Sequence, residues 1–544
     1  MIREELEKWL KDNGIEGKLE HPAIEKFGDY AVRTGKPIDN LSLCEIVEKT
    51  EFVAGFINIW IKKEFLIKEA KFILKDELEK RLQKNNEGKK FIVEFAHPNT
   101  HKELHVGHMR TLITGEALAR LLETTGGKVF RANYQGDIGP HVAKAIWGVQ
   151  KMMEESGEGV DDWEKKTNSE KAHFLGKGYA LGCSDYDGED KDKIDEINQM
   201  LYQRDPKIMD IYQKTRSWSL NYYDDFYARF YTNFDKLFFE SEISEKGKKI
   251  VEENIGKIFK KGKEGAIVFE GEEYGLHTRV FITGAGTVTY EGKEMGLAYA
   301  QREAFEYDKN IHVVGNEQKG YFQVVIKAMD LIDPWFEDRQ FHLAMGMVTF
   351  ADRKMSSRTG DIVTVDSILD ETTKNILPLV KEEGVDKKAI AEAITIGAVK
   401  LSVLKSDPRQ NSVFDVKKST DLNGNSGPYL QYTYARCQSV LEKSTMAEQE
   451  IEVEGFSEFN ETELALLRYF YQFEERIVES SEKLNPAILA EYLLGLARKY
   501  NEFYGKCRIV GEKEEGQRLF LTKITGKVIK DGLKILGIET VEKM

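Results

Sequence analysis

The stretch 91–134 constrains the fold more than any other part of the chain. FIVEFA (91–96) is an apolar run of strand length, and residues from about 107 to 125 place apolar side chains at helical spacing. Gly126 and Gly127 stop that helix before a second strand-like run, VFRANY (129–134). Strand, helix and strand at these lengths form a βαβ unit, whose two strands run parallel. Strand and helix patterns keep alternating downstream, so the fold class expected is α/β with a parallel sheet.

With 544 residues, the chain has room for modules on either side of that sheet. Residues 1–85 read as a small α/β module: an amphipathic helical start, the turn-rich FGDYAV (27–32), the apolar FVAGFINIWI (52–61) and a further helix. LQKNNEGKK (82–90) reads as a linker. The sheet domain is expected over 90–373, with a mainly helical insertion at about 148–245. It resumes with AIVFE (266–270), RVFIT (279–283), TVTY (287–290) and NIHVVG (310–315). From 374 to 544 the periodicity is almost entirely helical, as in LLRYFYQFEERIVESSEKL and AILAEYLLGLARKYNEFY.

A formal charge of -14 argues against wholesale coating of nucleic acid, while leaving room for a local basic groove. The four cysteines form no CxxC, so neither a zinc site nor a disulfide scaffold is expected. The start MIREELEKWLKDNG lacks an apolar signal region, and no run of eighteen apolar residues follows. A soluble cytoplasmic protein with reduced thiols and no membrane contact is the expectation.

Two segments carry chemistry. HPNTHKELHVGHMR (97–110) lies between the first strand and its helix, so His105, Gly107 and His108 fall at a helix N-terminus, where free N–H groups and the dipole favour an anion. Two imidazoles can donate to phosphate oxygens, and a residue without Cβ lets a nucleotide approach. Taken alone, the pair could equally be a helix cap; at the end of the first strand of a parallel sheet, the ligand reading gains weight. DRKMSSRTGD (352–361) offers Lys354 and Arg358 with two serines in a short polar loop suited to a triphosphate.

HVGH followed downstream by KMSSR resembles the HIGH and KMSKS signatures of class I aminoacyl-tRNA synthetases. VEFAHPNTHKELHVGH, RANYQGDIG, TYEGKE, GNEQ, GNSGPYLQYTYAR and DGLKILGI resemble blocks of the arginyl members, and GDYAV and GFIN resemble their extra N-terminal domain. The resemblance implies a Rossmann-like catalytic domain between a small N-terminal α/β tRNA-binding domain and an all-α anticodon-binding domain. It implies ATP with Mg2+, no zinc, and L-arginine and tRNA(Arg) as partners of a monomeric enzyme. It further implies that arginine activation waits for tRNA. An HxGH nucleotidyltransferase of another kind, a synthetase for another amino acid and an inactive RNA-binding paralogue are the rivals.

The resemblance also implies residue roles. His105, His108, Lys102 and Lys354 would stabilise the reacting phosphates, and Gly107, Met355, Ser356, Ser357 and Arg358 would hold ATP. Ser357 stands where many class I enzymes have a second lysine, for which Lys102 would compensate. Glu94, Asn99, Tyr290, Glu294 and Gln318 would hold arginine. A guanidinium needs a carboxylate and gains from an aromatic face, and Tyr290 and Glu294 share one face if a helix follows TVTY. Without the resemblance, Tyr290 reads as a core aromatic and Glu294 as an exposed helical charge. Glu294 replaces a more usual aspartate, and His97 a common serine. Tyr429, Tyr432, Tyr434 and Arg436 offer stacking faces and a cation to unpaired RNA bases, though such stripes also build cores. His141 and His312 read as satisfied structural histidines, and Asp137 as a contact to a ligand or to nearby backbone.

Overall fold

The computed structural model describes residues 2–38, 44–75, 77–351, 363–380, 386–446 and 458–544. Near the N-terminus, β1 (Leu19–Glu20), β2 (Tyr30–Arg33), β3 (Val47–Val53) and β4 (Phe56–Ile61) form an antiparallel sheet in the order β1-β2-β4-β3, with helices Ile2–Asp12 and Lys63–Leu74 on either side in sequence. The apolar run 52–61 is a hairpin, because Ala54 and Gly55 both take positive φ (52° and 88°) and reverse the chain in two residues.

The βαβ unit forms as expected from β5 (Lys90–Glu94), helix Val106–Thr124 and β6 (Lys128–Gln135). Gly115 lets that helix lie directly on the strand's exit, since a Cβ there would come within 2.2 Å of the Phe95 ring. Next come β7 (Lys236–Phe239), β8 (Lys260–Lys261), β9 (Ile267–Phe269), β10 (Arg279–Ile282), β11 (Lys309–Gly315), β12 (Gln340–Met345), β13 (Val348–Phe350) and β14 (Ser412–Phe414). Five of these strands make one parallel sheet in the order β12-β11-β5-β6-β7. From β5 the chain builds outward through β6 and β7, then returns to β11 on the other side. The switch point therefore lies between β5 and β11, and the crevice at their carboxyl ends is where such a sheet receives a ligand.

Two expectations need correction. AIVFE and RVFIT do not resume the main sheet: β8, β9 and β10 form a separate antiparallel sheet, and Tyr290 begins helix Tyr290–Ala304 where TVTY reads as strand. Thr289 decides the latter, capping the helix by accepting from the Gly292 N–H. The segment 148–245 is helical as far as Arg229, through Asn168–Asp185, Lys191–Gln203 and Pro206–Arg229, but its end supplies β7, an edge strand of the main sheet. Four residues against a helical background are too short a signal to stand out in a periodicity.

The C-terminal part is a bundle that includes Lys387–Leu404, Gly427–Lys443, Glu461–Phe470, Ala487–Lys506 and Glu515–Ile535. No helix among the described residues is long and apolar enough to cross a membrane. One core cluster joins Leu6 and Trp9 of the first helix, Leu112 and Leu118 of the βαβ helix, and Leu467, Phe520 and Ile529 of the bundle. Polar clasps close the same seam: Arg3 Nε donates to Glu475 at 2.9 Å, and Arg468 pairs with the buried Asp29.

Candidate active site

Helix Val106–Thr124 is capped by the two histidines of HVGH. His105 Nδ1 accepts from the Gly107 N–H at 3.1 Å, and the His105 N–H donates to His108 Nδ1 at 3.3 Å. The rings stack with centroids 3.7 Å apart. Because each Nδ1 accepts, each neutral ring carries its proton on Nε2 and offers that N–H on its far side. Burial, then Lys102, lowers the His105 pKa; burial, then His105, lowers that of His108, so both rings stay neutral near pH 7. The cap and the phosphate donor are thus two ends of one ring.

Lys102 sits half-buried ahead of this cap, its ammonium 4.2 Å from the Tyr179 ring on helix Asn168–Asp185. The loop that carries it is over-determined: His101, at φ 62°, donates its backbone N–H to Ser219 Oγ at 2.8 Å, and its ring bonds Thr100 and Thr215. Lys354, Met355, Ser356, Ser357 and Arg358 lie outside the described residues. The chain that follows them returns to HVGH, with the Val365 N–H donating to the Leu104 carbonyl at 3.0 Å and Thr364 bridging to His105.

At the switch point, Glu94 ends β5 fully buried. His312 Nδ1 of β11 lies 3.4 Å from Glu94 Oε1, and His312 Nε2 bonds Gln340 Oε1 at 2.7 Å. Burial alone would push the Glu94 carboxyl up, but His312 and His97 outweigh it and hold it at about 2. Burial opposes the charge on His312, yet Glu94 raises it to about 9, so this pair is ionic. Glu294 is buried one turn into helix Tyr290–Ala304, and burial, then Glu94, pushes its carboxyl up to about 8. Glu240 is buried beside it and pairs with Lys293 at 2.6 Å. The Tyr134 hydroxyl is buried among these carboxylates with no hydrogen-bond partner, a donor awaiting an acceptor or a ligand.

Glu94 is thus matched by His312 and Glu240 by Lys293, while Glu294 has no ion pair among the described residues and holds its proton near pH 7. A cation entering beside it would favour its ionised form. Tyr290, 59% exposed, stands at the mouth of the pocket.

The sequence matches the family described as tRNA synthetases class I (R), catalytic domain, over residues 70–416, and the DALR anticodon binding domain over 430–544. The chain belongs to the arginyl family of class I tRNA synthetases. An arginine–tRNA ligase of Phocaeicola vulgatus is 31% identical over 536 residues, covering 92% of this chain and 88% of that protein. One from Borreliella afzelii is 29% identical, covering 99% and 96%. The structure of the Thermus thermophilus arginyl-tRNA synthetase superposes over 100% of both chains with a TM-score of 0.83 at 25% identity.

The other residues named from the sequence of this synthetase divide clearly. The Asn99 side chain lies against Gly136, where a Cβ would come within 2.3 Å of its Oδ1, and the Asn99 carbonyl accepts from the Tyr223 hydroxyl at 2.7 Å. Gln318 is exposed in the turn Asn316–Gln318 just beyond β11. Asp137 is wholly buried and accepts from Arg216, Ser241 and Tyr212, which makes it a pin for helix Pro206–Arg229. His141 bonds the Gly136 carbonyl at 3.1 Å. His312 has its hydrogen bond to Gln340, but its charge partner Glu94 makes it part of the pocket.

Tyr429 requires correction as a stacking residue: it is 9% exposed, and its hydroxyl accepts from Asn501 at 3.0 Å inside the bundle. Tyr434, 1% exposed, is likewise core and donates to Glu542. Both sit on the inward face of helix Gly427–Lys443, whose apolar periodicity wins over any RNA role. Tyr432 and Arg436 do reach the surface, where the guanidinium lies 4.7 Å from both the Tyr432 and Tyr504 rings. Glu240 and Lys293 went unread in the sequence. The signal available for Glu240 was its place directly after β7, at the carboxyl end of a parallel strand.

Proposed function

We infer that this synthetase joins arginine to tRNA(Arg) in two steps: the arginine carboxylate attacks the α-phosphate of ATP and expels pyrophosphate, and a hydroxyl at the 3' end of the tRNA then takes the arginyl group from the adenylate and releases AMP. The buried Glu294 carboxyl, which has no ion pair among the described residues, carries this reading. A planar guanidinium satisfies two carboxylates through forked hydrogen bonds and retains its charge in a buried site, which suits Glu294 and its neighbours. A neutral amino acid offers no charge to stabilise the ionised form of Glu294.

No side chain is needed as a covalent nucleophile. His105 and His108 donate Nε2–H groups toward the phosphates, Lys102 adds a positive charge beside them, and the helix N-terminus adds backbone donors, so catalysis rests on position and preorganised charge. Lys354 and the residues up to Arg358 would complete the triphosphate site. Mg2+ would enter with the nucleotide and offset its charge. Asn99 and Glu94 would meet the α-amino and carboxylate groups, Tyr290 the guanidinium face, and Tyr432 with Arg436 an anticodon base. We assign residues 1–85 to additional tRNA contact, 90–373 to catalysis and 374–544 to anticodon binding, in a cytoplasmic monomer.

The test is charging of unfractionated tRNA with each of the twenty amino acids in the presence of ATP and magnesium, with and without Glu294→Ala. Charging by arginine alone, lost in the variant, is expected. Charging by a different amino acid would overturn the substrate, and no charging at all would favour a binding-only protein.

A further inference from the structure

The pocket assigned to the arginine side chain already contains a cation. Lys293 is 5% exposed, with its ammonium 2.6 Å from Glu240 Oε2 and 5.1 Å from the centroid of the Tyr290 ring. A carboxylate and an aromatic face are what a guanidinium seeks. Glu294, the next residue in the chain, meets the Tyr321 hydroxyl but has no ion pair with a lysine or arginine among the described residues, so the two halves of the cation site differ: one holds a cation from within and the other holds none.

A buried ion pair adds little to stability compared with apolar side chains of the same volume, so its presence in a binding pocket calls for another explanation. Lysine is suited to leaving. Its charge rides on a flexible four-carbon stem, and the Tyr290 ring beside it is 59% exposed.

We propose that Lys293 is a placeholder cation that occupies the guanidinium subsite until arginine displaces it from Glu240 and Tyr290. This rests on the assignment of the pocket to arginine, and it makes Lys293 a determinant of specificity. An entering lysine would exchange one ammonium for another and gain nothing at Glu240. An uncharged isostere such as citrulline could not replace the charge. Arginine gains a forked contact and a better stacked face, so it alone is favoured over the resident side chain. The internal competitor also lowers apparent affinity: if it fills the site about 90% of the time, arginine binds about tenfold more weakly than to an empty subsite.

The test is calorimetric titration of the full chain with arginine, lysine and citrulline. Lys293→Met should bind arginine about tenfold more tightly and take up lysine measurably, because Glu240 is then unclaimed. Unchanged or weaker arginine binding would make Lys293 a fixed wall of the pocket and end the proposal. Since Lys293→Met strips a buried carboxylate of its partner, Lys293→Arg serves as a second variant that keeps the pair. Its resident guanidinium should weaken arginine binding at least about tenfold, and affinity equal to that of the unaltered protein would also overturn the idea. Glu294→Gln separates the two levels: if it leaves arginine binding intact, the pocket itself has been misassigned, whatever the Lys293 variants do.

Discussion

Arginine binding should release a proton from Glu294. Burial, then the neighbouring Glu94, pushes this carboxyl up to about 8, with Glu240 adding repulsion and His312 and the Tyr321 hydroxyl opposing. The guanidinium needs the carboxylate, so below that value binding must first expel a proton. Apparent affinity then rises about tenfold per pH unit on the acid side and levels off above; from pH 6 to pH 8 the gain is about fiftyfold, and at pH 7 about 0.9 proton leaves per arginine. Glu94, at about 2, and His312, at about 9, titrate outside this window. The same shift bears on stability: the folded carboxyl holds its proton more tightly than the unfolded one, so its contribution is fully present below the ordinary value of 4.5 and is lost as pH rises through about 8. Calorimetry in buffers of different ionisation enthalpy counts the protons directly. A count near zero at pH 7 with affinity flat from pH 6 to pH 8 would refute the reasoning.

Three further outcomes follow from the same geometry. His105→Asn keeps an acceptor for the Gly107 N–H but removes the Nε2 donor, so melting should shift little while aminoacylation falls about 10²–10³-fold; His105→Ala should also lose about 1 kcal/mol of stability. His312→Gln preserves a hydrogen bond toward Gln340 but leaves Glu94 buried without its cation, so denaturant unfolding should show a loss of about 3 kcal/mol and the KM for arginine should rise. Burial, then Arg120, lowers the Lys400 pKa to about 7 where its ammonium meets the Phe230 and Gly537 carbonyls. The unfolded chain binds that proton more tightly, so stability should rise between about pH 7 and 10.5, and Lys400→Met should abolish that slope.

What could be read in the chain alone was whatever repeats with a period or stops one. The β5–helix–β6 unit was legible because its apolar spacing changes from strand to helix and ends at Gly126, and HVGH followed because its position on that unit was fixed. TVTY was misread because Thr289 acts as a cap, a choice between two local states that β-propensity does not decide. Tyr429 was misread for a related reason, since an aromatic at helical spacing looks the same whether it faces a core or a base. Glu240 and Lys293 were missed because their meaning is entirely relational. Neither belongs to a pattern, and each becomes functional only when β7 and helix Tyr290–Ala304 bring the two together across the sheet's edge.

The clasp between Glu475 and Arg3, set over a core shared by Leu6, Leu118 and Phe520, has a thermodynamic consequence. Regions that share buried apolar surface cannot melt separately without exposing it, so the three segments of this chain should unfold on heating in one transition, with a calorimetric enthalpy that scales with the whole chain. Removing the first eighty or so residues would then uncover a face of the anticodon bundle and lower its melting temperature, even though the bundle, from Lys387, begins about three hundred residues further along the chain.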